Sequence, residues 1–426
     1  MTAGYGPQVA RPTGGRIQWA NDLRGLAAFA VVMHHLALSF YLAPGIVAYV
    51  TGTPQQNLPL PLLARVMHRI PFDFGAFGVC LFFIISGFVI SRSLVKYNRT
   101  GFLIGRSMRL LPTYAVGFIG LSIVVWINQR IATGTSSVTV LGTLVGSIPG
   151  LSTLTGVPTV LNGVVWTLIV EIAFYAICLV LFRQLVTRWW LPPVLAIGCV
   201  AVQAVFRHQS WGVTDVVDRG FARPEATPGA ESAGDTVTAI IGGLLPGVAQ
   251  LVMLVVPYLP ILMIGVVLAR AHGRTNTRSA GVTAFLFLCF AWMVQFSPLY
   301  YFDTTWVIRF TYLVTIIGCL MVAAWSTKWT GNRVASFFAD ISYPTYVLHM
   351  LLGWTVLYYL TSAGVNSYLS LLAAIGLVIA VAWVLHVTVE VPSHRLGRRW
   401  ARTVTQADPG GGDTPATHDQ GAGSNR

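Results

Sequence analysis

NDLRGLAAFAVVMHHLALSFY, residues 21–41, is the stretch that decides how the chain is read. It is apolar and helix-forming, yet Arg24 stands near its start and His34 and His35 sit side by side halfway along. In lipid, a charge at mid-depth costs several kcal/mol unless it faces protein. At about 100° per residue, the eleven steps from Arg24 to His35 end about 20° past three full turns, roughly 16 Å further along the axis. One face of one helix therefore carries a permanent cation near a membrane surface and a titratable imidazole about half a bilayer deeper. His34 lies about 100° away and reads as a packing or orienting residue. Gly25, Ala27, Ala28 and Ala30 are small enough to let another helix come close. Two roles fit His35 at this point. It can make a polar contact between helices, or it can serve as a base, because a neutral imidazole in an apolar site can take a proton from a hydroxyl.

The composition agrees with a membrane setting. Of 426 residues, 55% are hydrophobic and 10% charged, against about 25% charged in a soluble domain. Mean hydropathy is +0.68. The fold class expected is all-α, a polytopic membrane helix bundle. A net charge of +13 would point to nucleic acid on a soluble domain; here it follows membrane orientation, and no nucleic-acid partner is expected. Cys80, Cys178, Cys199, Cys289 and Cys319 are odd in number and all lie in apolar runs, which fits buried thiols and no metal site. Residues 1–19 lack the apolar core of a signal peptide, so the first span is expected to target the chain.

Ten spans are read, at about 22–42, 74–94, 110–128, 162–182, 191–206, 247–270, 280–297, 307–325, 340–360 and 368–390. An even number returns both termini to one side. Arg92 to Arg109, Arg183 and Arg188, Arg270 to Arg278, Lys328 and Arg333, and Arg395 to Arg402 then fall on that side, which the positive-inside rule makes cytoplasmic. Two apolar pieces, Ser137–Leu151 and Thr238–Ala271, resist a clean count and are read as interfacial or re-entrant feeders of the next span, with Pro246, Pro257 and Pro260 as breaks. The outer loop 43–73 carries an amphipathic piece, Leu62–Ile70. The outer loop 207–237 holds Asp215, Asp218, Glu225, Glu231 and Asp235, which fits a solvated loop or a lip over an outward-facing site. The organisation expected is a cytoplasmic segment 1–19, a membrane domain 20–402 and a disordered cytoplasmic tail 403–426.

Several further groups can carry chemistry. Ser86-Gly87-Phe88 interrupts an apolar helix. Arg106 and Arg109 are three apart and share a face if helical; their charge is either topogenic or a clamp for a pyrophosphate. Glu171 is a lone acid in VVWTLIVEIAFYAI, with Thr167 and Tyr175 four residues to either side, and must pair or stay protonated. In DISYPTYVLHML, Ser342, Tyr346 and His349 can all point into the bundle. His386 and Glu390 are four apart, within reach of each other, and Glu390 lies close in depth to Arg24, which it could cap.

Taken together, NDLRGLAAFAVVMHH, GVCLFFIISGFVI, GRSMRLLPTY, VVWTLIVEIAFY, ISYPTYVLHM and VEVPSHRL resemble, in order, the acyltransferase-3 family of membrane O-acyltransferases, over roughly residues 20 to 396. The resemblance implies transfer of an acyl group, often acetyl, from cytoplasmic acyl-CoA to a hydroxyl. The acceptors it implies are sugars of envelope glycans, glycolipids or glycosylated natural products. It implies catalytic roles for His35 and Arg24, donor contacts from Arg106, Arg109 and Glu390, and supporting roles for Ser86, Gly87, Phe88, Glu171, Tyr343 and His349. No tightly bound cofactor is implied, only acyl-CoA as a donor substrate. The location implied is a cell membrane crossed many times. Cys80, Ile172 and Ala173 depart from the family pattern, and a fused outer esterase-like domain is not expected. The rival class is a transporter or lipid flippase, which would also carry intramembrane Arg, Glu and His; paired repeats with interrupted helices would mark it, and the sequence displays none.

Overall fold

The computed structural model describes residues 17–160, 162–208, 247–271, 277–295, 305–325 and 331–407. The readings of residues 1–16, of the acidic outer loop and of 238–246 lie outside them. The described residues are 84% helical, with no strand among them. That is the outcome physics allows an apolar chain in lipid, where backbone groups must be satisfied within the segment.

The first span is α1, Gln18–Leu42. It is followed by α2, Pro44–Thr51, and the short amphipathic α3, Leu62–Arg69. Two long helices come next, α4 (Phe74–Lys96) and α5 (Arg99–Thr133). Asp73 caps the first by accepting from the Ala76 amide at 2.8 Å, and Asn98 caps the second through the Gly101 amide at 2.8 Å. Then follow α6 (Val140–Gly146), α7 (Leu151–Thr155), α8 (Val165–Leu181), α9 (Gln184–Thr187) and α10 (Leu191–His208). The second half contains α11 (Gly247–Arg270), α12 (Thr277–Val294), α13 (Thr305–Ala324), α14 (Arg333–Asp340) and α15 (Ser342–Ser362). It closes with α16 (Ser367–Leu385), a wide turn at His386–Glu390, and α17 (Val391–Ala407).

Every expected span is a helix, and the protein is a multi-pass membrane bundle. Seven helices among the described residues are long and apolar enough to cross a bilayer by themselves, while α8 and α10 are shorter apolar helices. α15 carries Ser342, Thr345, His349 and Thr355 buried in the protein. The Ser137–Leu151 piece contains α6 and ends where α7 begins, with Gly146 against the ring of Phe118 on α5. The chain does not lose order at Thr403. α17 continues to Ala407 because its end docks on the start of α5, where the Thr405 hydroxyl donates to Asn98 Oδ1 at 3.2 Å and Asn98 Nδ2 donates to the Val404 carbonyl at 3.4 Å.

Two hydrophobic clusters build the interior. The larger joins Trp19, Phe88, Tyr258, Phe290 and Tyr312 around α4 and α11. The second gathers Leu36, Tyr41, Leu351, Trp354 and Leu357 around the second half of α1 and α15. Within the larger one, α4 and α11 cross at Gly87 and Gly265. A methyl group on Gly87 would overlap the Leu262 carbonyl, and one on Gly265 would overlap that of Ile84. The Ser-Gly-Phe interruption is thus a helix crossing that only glycine permits.

Candidate active site

A cavity with about 740 Å³ of empty space, part of it open to solvent, runs along the seam between the two clusters. Val79, Phe83 and Leu110 line it from the larger cluster, Val164 and Tyr346 from the second. Its polar lining forms three levels. Arg24 and Arg109 stand at one end with Ser342 and Tyr343, Ser86 and Glu171 come next, and Thr167 and Tyr346 lie beyond them.

At the arginine end, Arg24 Nε donates to Ser342 Oγ at 2.9 Å and Nη2 to the Ala339 carbonyl at 2.5 Å. Gly25 makes room for this, since a methyl group there would crowd the Ala335 carbonyl and the Ala339 amide of α14. Tyr343 donates to the Leu110 carbonyl at 2.9 Å, tying α15 to α5 beside Arg109. Arg106 points elsewhere. It is buried, donates to Ser93, and lies over the rings of Phe102 and Tyr175 at 5.7 Å each. Only Arg109 of that pair lines the cavity. Glu390 is buried on the neighbouring wide turn and pairs with His386 at 2.7 Å. One turn further on, outside the span, is His394. Burial and the charges of Arg109, Arg398, Arg106 and Arg24 push its imidazole down to about 3.

At the middle level, Glu171 Oε1 accepts from the Ser86 hydroxyl at 3.0 Å and from Tyr175 at 2.6 Å. The side chain, half-buried at the cavity wall, is therefore satisfied by two donors from two helices. One turn along the same stripe, the Thr167 hydroxyl donates to the Val164 carbonyl at 2.9 Å. Its proton being spent there, the 2.9 Å contact with Tyr346 has the tyrosine as donor.

Beyond Tyr346 lies the histidine pair. His349 is fully buried, and its Nδ1 faces the Tyr346 carbonyl at 2.9 Å and the Thr345 carbonyl at 3.2 Å. His35 Nδ1 faces the Val31 carbonyl at 3.0 Å and His349 Nε2 at 3.1 Å. A carbonyl can only accept, so each Nδ1 carries the hydrogen. His349 Nε2 then accepts from His35, and His35 Nε2 is left with a lone pair. That is the tautomer a general base needs, and a second group holds it in orientation.

The backbone is shaped for this pair. Residues His34–Ser39 form a π-helical turn within α1, a wide turn that recurs at functional sites. The Ser39 hydroxyl donates to the His34 carbonyl at 3.2 Å, and Trp354 Nε1 donates to the His35 carbonyl at 2.9 Å. A second π-helical turn, His386–Glu390, holds Glu390. Arg24 and His35 do share a face, because both meet α15, one through Ser342 and the other through His349. His34 turns aside to Asp73 at 3.5 Å. Phe88 packs edge-on against Trp19 at 5.1 Å and Gly87 serves the helix crossing, so neither lines the cavity.

Asp73 and Trp354 escaped the reading of the sequence. Asp73 had a signal, an acid immediately before an apolar run, which marks a helix cap. Trp354 had none, because its value lies in a contact with a residue 319 positions away. Among the described residues there is no group of three His, Cys, Asp or Glu side chains that could hold a metal ion.

Compared with known proteins, residues 17–387 match the family model Acyl_transf_3, described as an acyltransferase domain. No curated protein and no solved structure gives a significant match.

Proposed function

The chain belongs to the Acyl_transf_3 family and is a membrane acyltransferase; from that premise we propose that it moves an acyl group, acetyl in the first instance, from acyl-CoA to a hydroxyl of a sugar in an envelope glycan, glycolipid or glycosylated natural product. The observation that carries this reading is the single cavity that begins at Arg24 and Arg109 and reaches Tyr346, whose ring lies 5.7 Å from that of His349, the partner of His35. A long anionic donor with a neutral, reactive far end suits that gradient. The phosphates stay with the guanidiniums, and the thioester reaches the end beside the histidines.

In this reading, with both termini in the cytoplasm of a cell membrane, His35 Nε2 takes the proton of the acceptor hydroxyl. The oxygen attacks the thioester carbonyl carbon, the C–S bond breaks, and the proton goes on to the departing thiolate sulfur. His349 keeps the His35 ring in register throughout. Glu171, held by Ser86 and Tyr175, fixes the middle of the channel, and Tyr343 fixes its arginine end. The test uses purified protein in nanodiscs with labelled acetyl-CoA and a panel of sugar acceptors. Acyl transfer that survives intact in His35→Ala would sink the mechanism. An absence of acetyl-CoA binding at millimolar concentration would sink the donor and favour transport.

A further inference from the structure

α17 lies past residue 387, the end of the family match, and the positive-inside rule alone would account for its arginines. Its packing assigns one of them more. Gly397 sits against Met108 of α5, so close that a methyl group would stand 2.5 Å from the Met108 Cβ, and Gly101 lies under Ala401 and Thr405. The two helices are therefore antiparallel, with Gly397 opposite the residue that precedes Arg109.

The helical wheel then fixes the flanks. Counting about 100° per residue from Gly397, Ala401, His394 and Thr405 fall within about 80° in one sense, and Arg398 follows at about 100°. Trp400 and Leu396, both exposed, fall about 60° and about 100° round in the opposite sense. α17 thus has an apolar flank for lipid and a basic flank on the side of His394. The charges felt by His394 say which way that flank looks: Arg109, Arg106 and Arg24 are its neighbours together with Arg398. The basic flank thus lies on the side of Arg109, which lines the arginine end of the cavity. Arg398 itself is exposed.

We infer that Arg398 forms, with Arg109, a phosphate-binding subsite at the mouth of the cavity, completing the site with a helix that lies outside the matched domain. Two guanidiniums on helices packed against each other suit a ligand carrying phosphate groups. The inference rests on the donor reading above, in which that ligand is the phosphate-bearing portion of acyl-CoA. The same chemistry could be served by a lipid headgroup, so the experiment separates the two.

Full-length protein in phosphatidylcholine nanodiscs is titrated with adenosine 3′,5′-bisphosphate, and KM is measured for acetyl-CoA and for acetyl-pantetheine. In Arg398→Gln, bisphosphate binding weakens about tenfold and the acetyl-CoA to acetyl-pantetheine KM ratio rises about tenfold, while Arg398→Lys recovers part of both. Arg399→Gln, about 200° round the helix from Gly397, changes neither. Equal losses in the two glutamine variants, no loss in Arg398→Gln, or a loss seen only in discs containing phosphatidylglycerol would each overturn the subsite. Arg398-dependent bisphosphate binding in a protein that transfers nothing from acetyl-CoA would leave the subsite standing and sink the donor reading instead.

Discussion

His35 and His349 are joined by one contact of 3.1 Å, and the hydrogens on both rings are dictated by carbonyls that can only accept. When His35 takes a proton at Nε2, the positive charge is shared through Nδ1–H with a neutral acceptor. A carboxylate in that place would hold the charge more firmly but would itself have to be buried in the bundle, at greater cost. The role of His349 is positioning, and substitution can show it. His349→Leu removes the acceptor and is expected to lower kcat by about 10²-fold, with donor KM little changed. His349→Gln places an amide oxygen within reach of His35 Nδ1 and should recover much of the loss. Equal loss in both variants would mean that the residue only fills space. His349 was visible in the sequence as a polar residue in an apolar span that could point into the bundle, which fits a satisfied core histidine more readily than a functional one. What decides between them is the pairing with a residue 314 positions away, and no local pattern encodes that register. Glu171 is the opposite case. Its stripe with Thr167 and Tyr175 was legible because spacing by four is a property of the helix itself, and Tyr175 does bind Glu171.

At the scale of elements, the helices were legible almost throughout and their ends were less so. Long apolar runs force helices in lipid. A disordered tail was expected from Thr403 because the chain turns Gly- and Pro-rich, whereas α17, with its contact to Asn98, runs on to Ala407. The Ser-Gly-Phe interruption could be read as a kink or as a close contact, and the structure makes it a contact between α4 and α11. Gly87→Ala must therefore push two buried helices apart. An overpacked core costs about 1–3 kcal/mol, so melting of the detergent-solubilised protein should drop clearly for Gly87→Ala and hardly at all for Gly120→Ala, where nothing lies within 4 Å. Unchanged melting in Gly87→Ala would show that the two helices do not cross there. α17 offers a test by pH. His394 is held down at about 3 from an ordinary value of 6.5, so the folded protein binds fewer protons than the unfolded chain between those values. Its contribution to stability is fully present above 6.5 and is lost as the pH falls toward 3. His394→Gln should flatten the decline in melting temperature below pH 6.5; an unaltered decline would place His394 in open water, away from the arginines.

At the scale of the molecule, the two ends differ in kind. α1 and α4 run antiparallel, since Gly75 meets His34 at the start of α4 and Gly78 meets Ala27 further along. His34, Asp73 and α3 therefore occupy one end of the bundle, and Arg24, Arg109 and α17 the other. By the positive-inside rule, the distribution of Lys and Arg along the chain leads one to expect the Arg24 end in the cytoplasm. The seam cavity was not legible, because it is bounded by five helices from distant parts of the chain. The polarity predicts which reagents reach which end. All five native cysteines are free and buried, so a membrane-impermeant maleimide should label the wild type poorly. Val66→Cys on α3 and Arg399→Cys on α17 replace exposed side chains and give one reporter for each end. In sealed, right-side-out cell vesicles, Val66→Cys should react and Arg399→Cys should not, with the order reversed in inverted vesicles. Labelling of both from one side would mean that α17 does not share a face with the donor compartment, and acyl-CoA could not then enter past Arg398. The opposite order would put the histidine end in the cytoplasm, and the acceptor, rather than the donor, would have to be cytoplasmic.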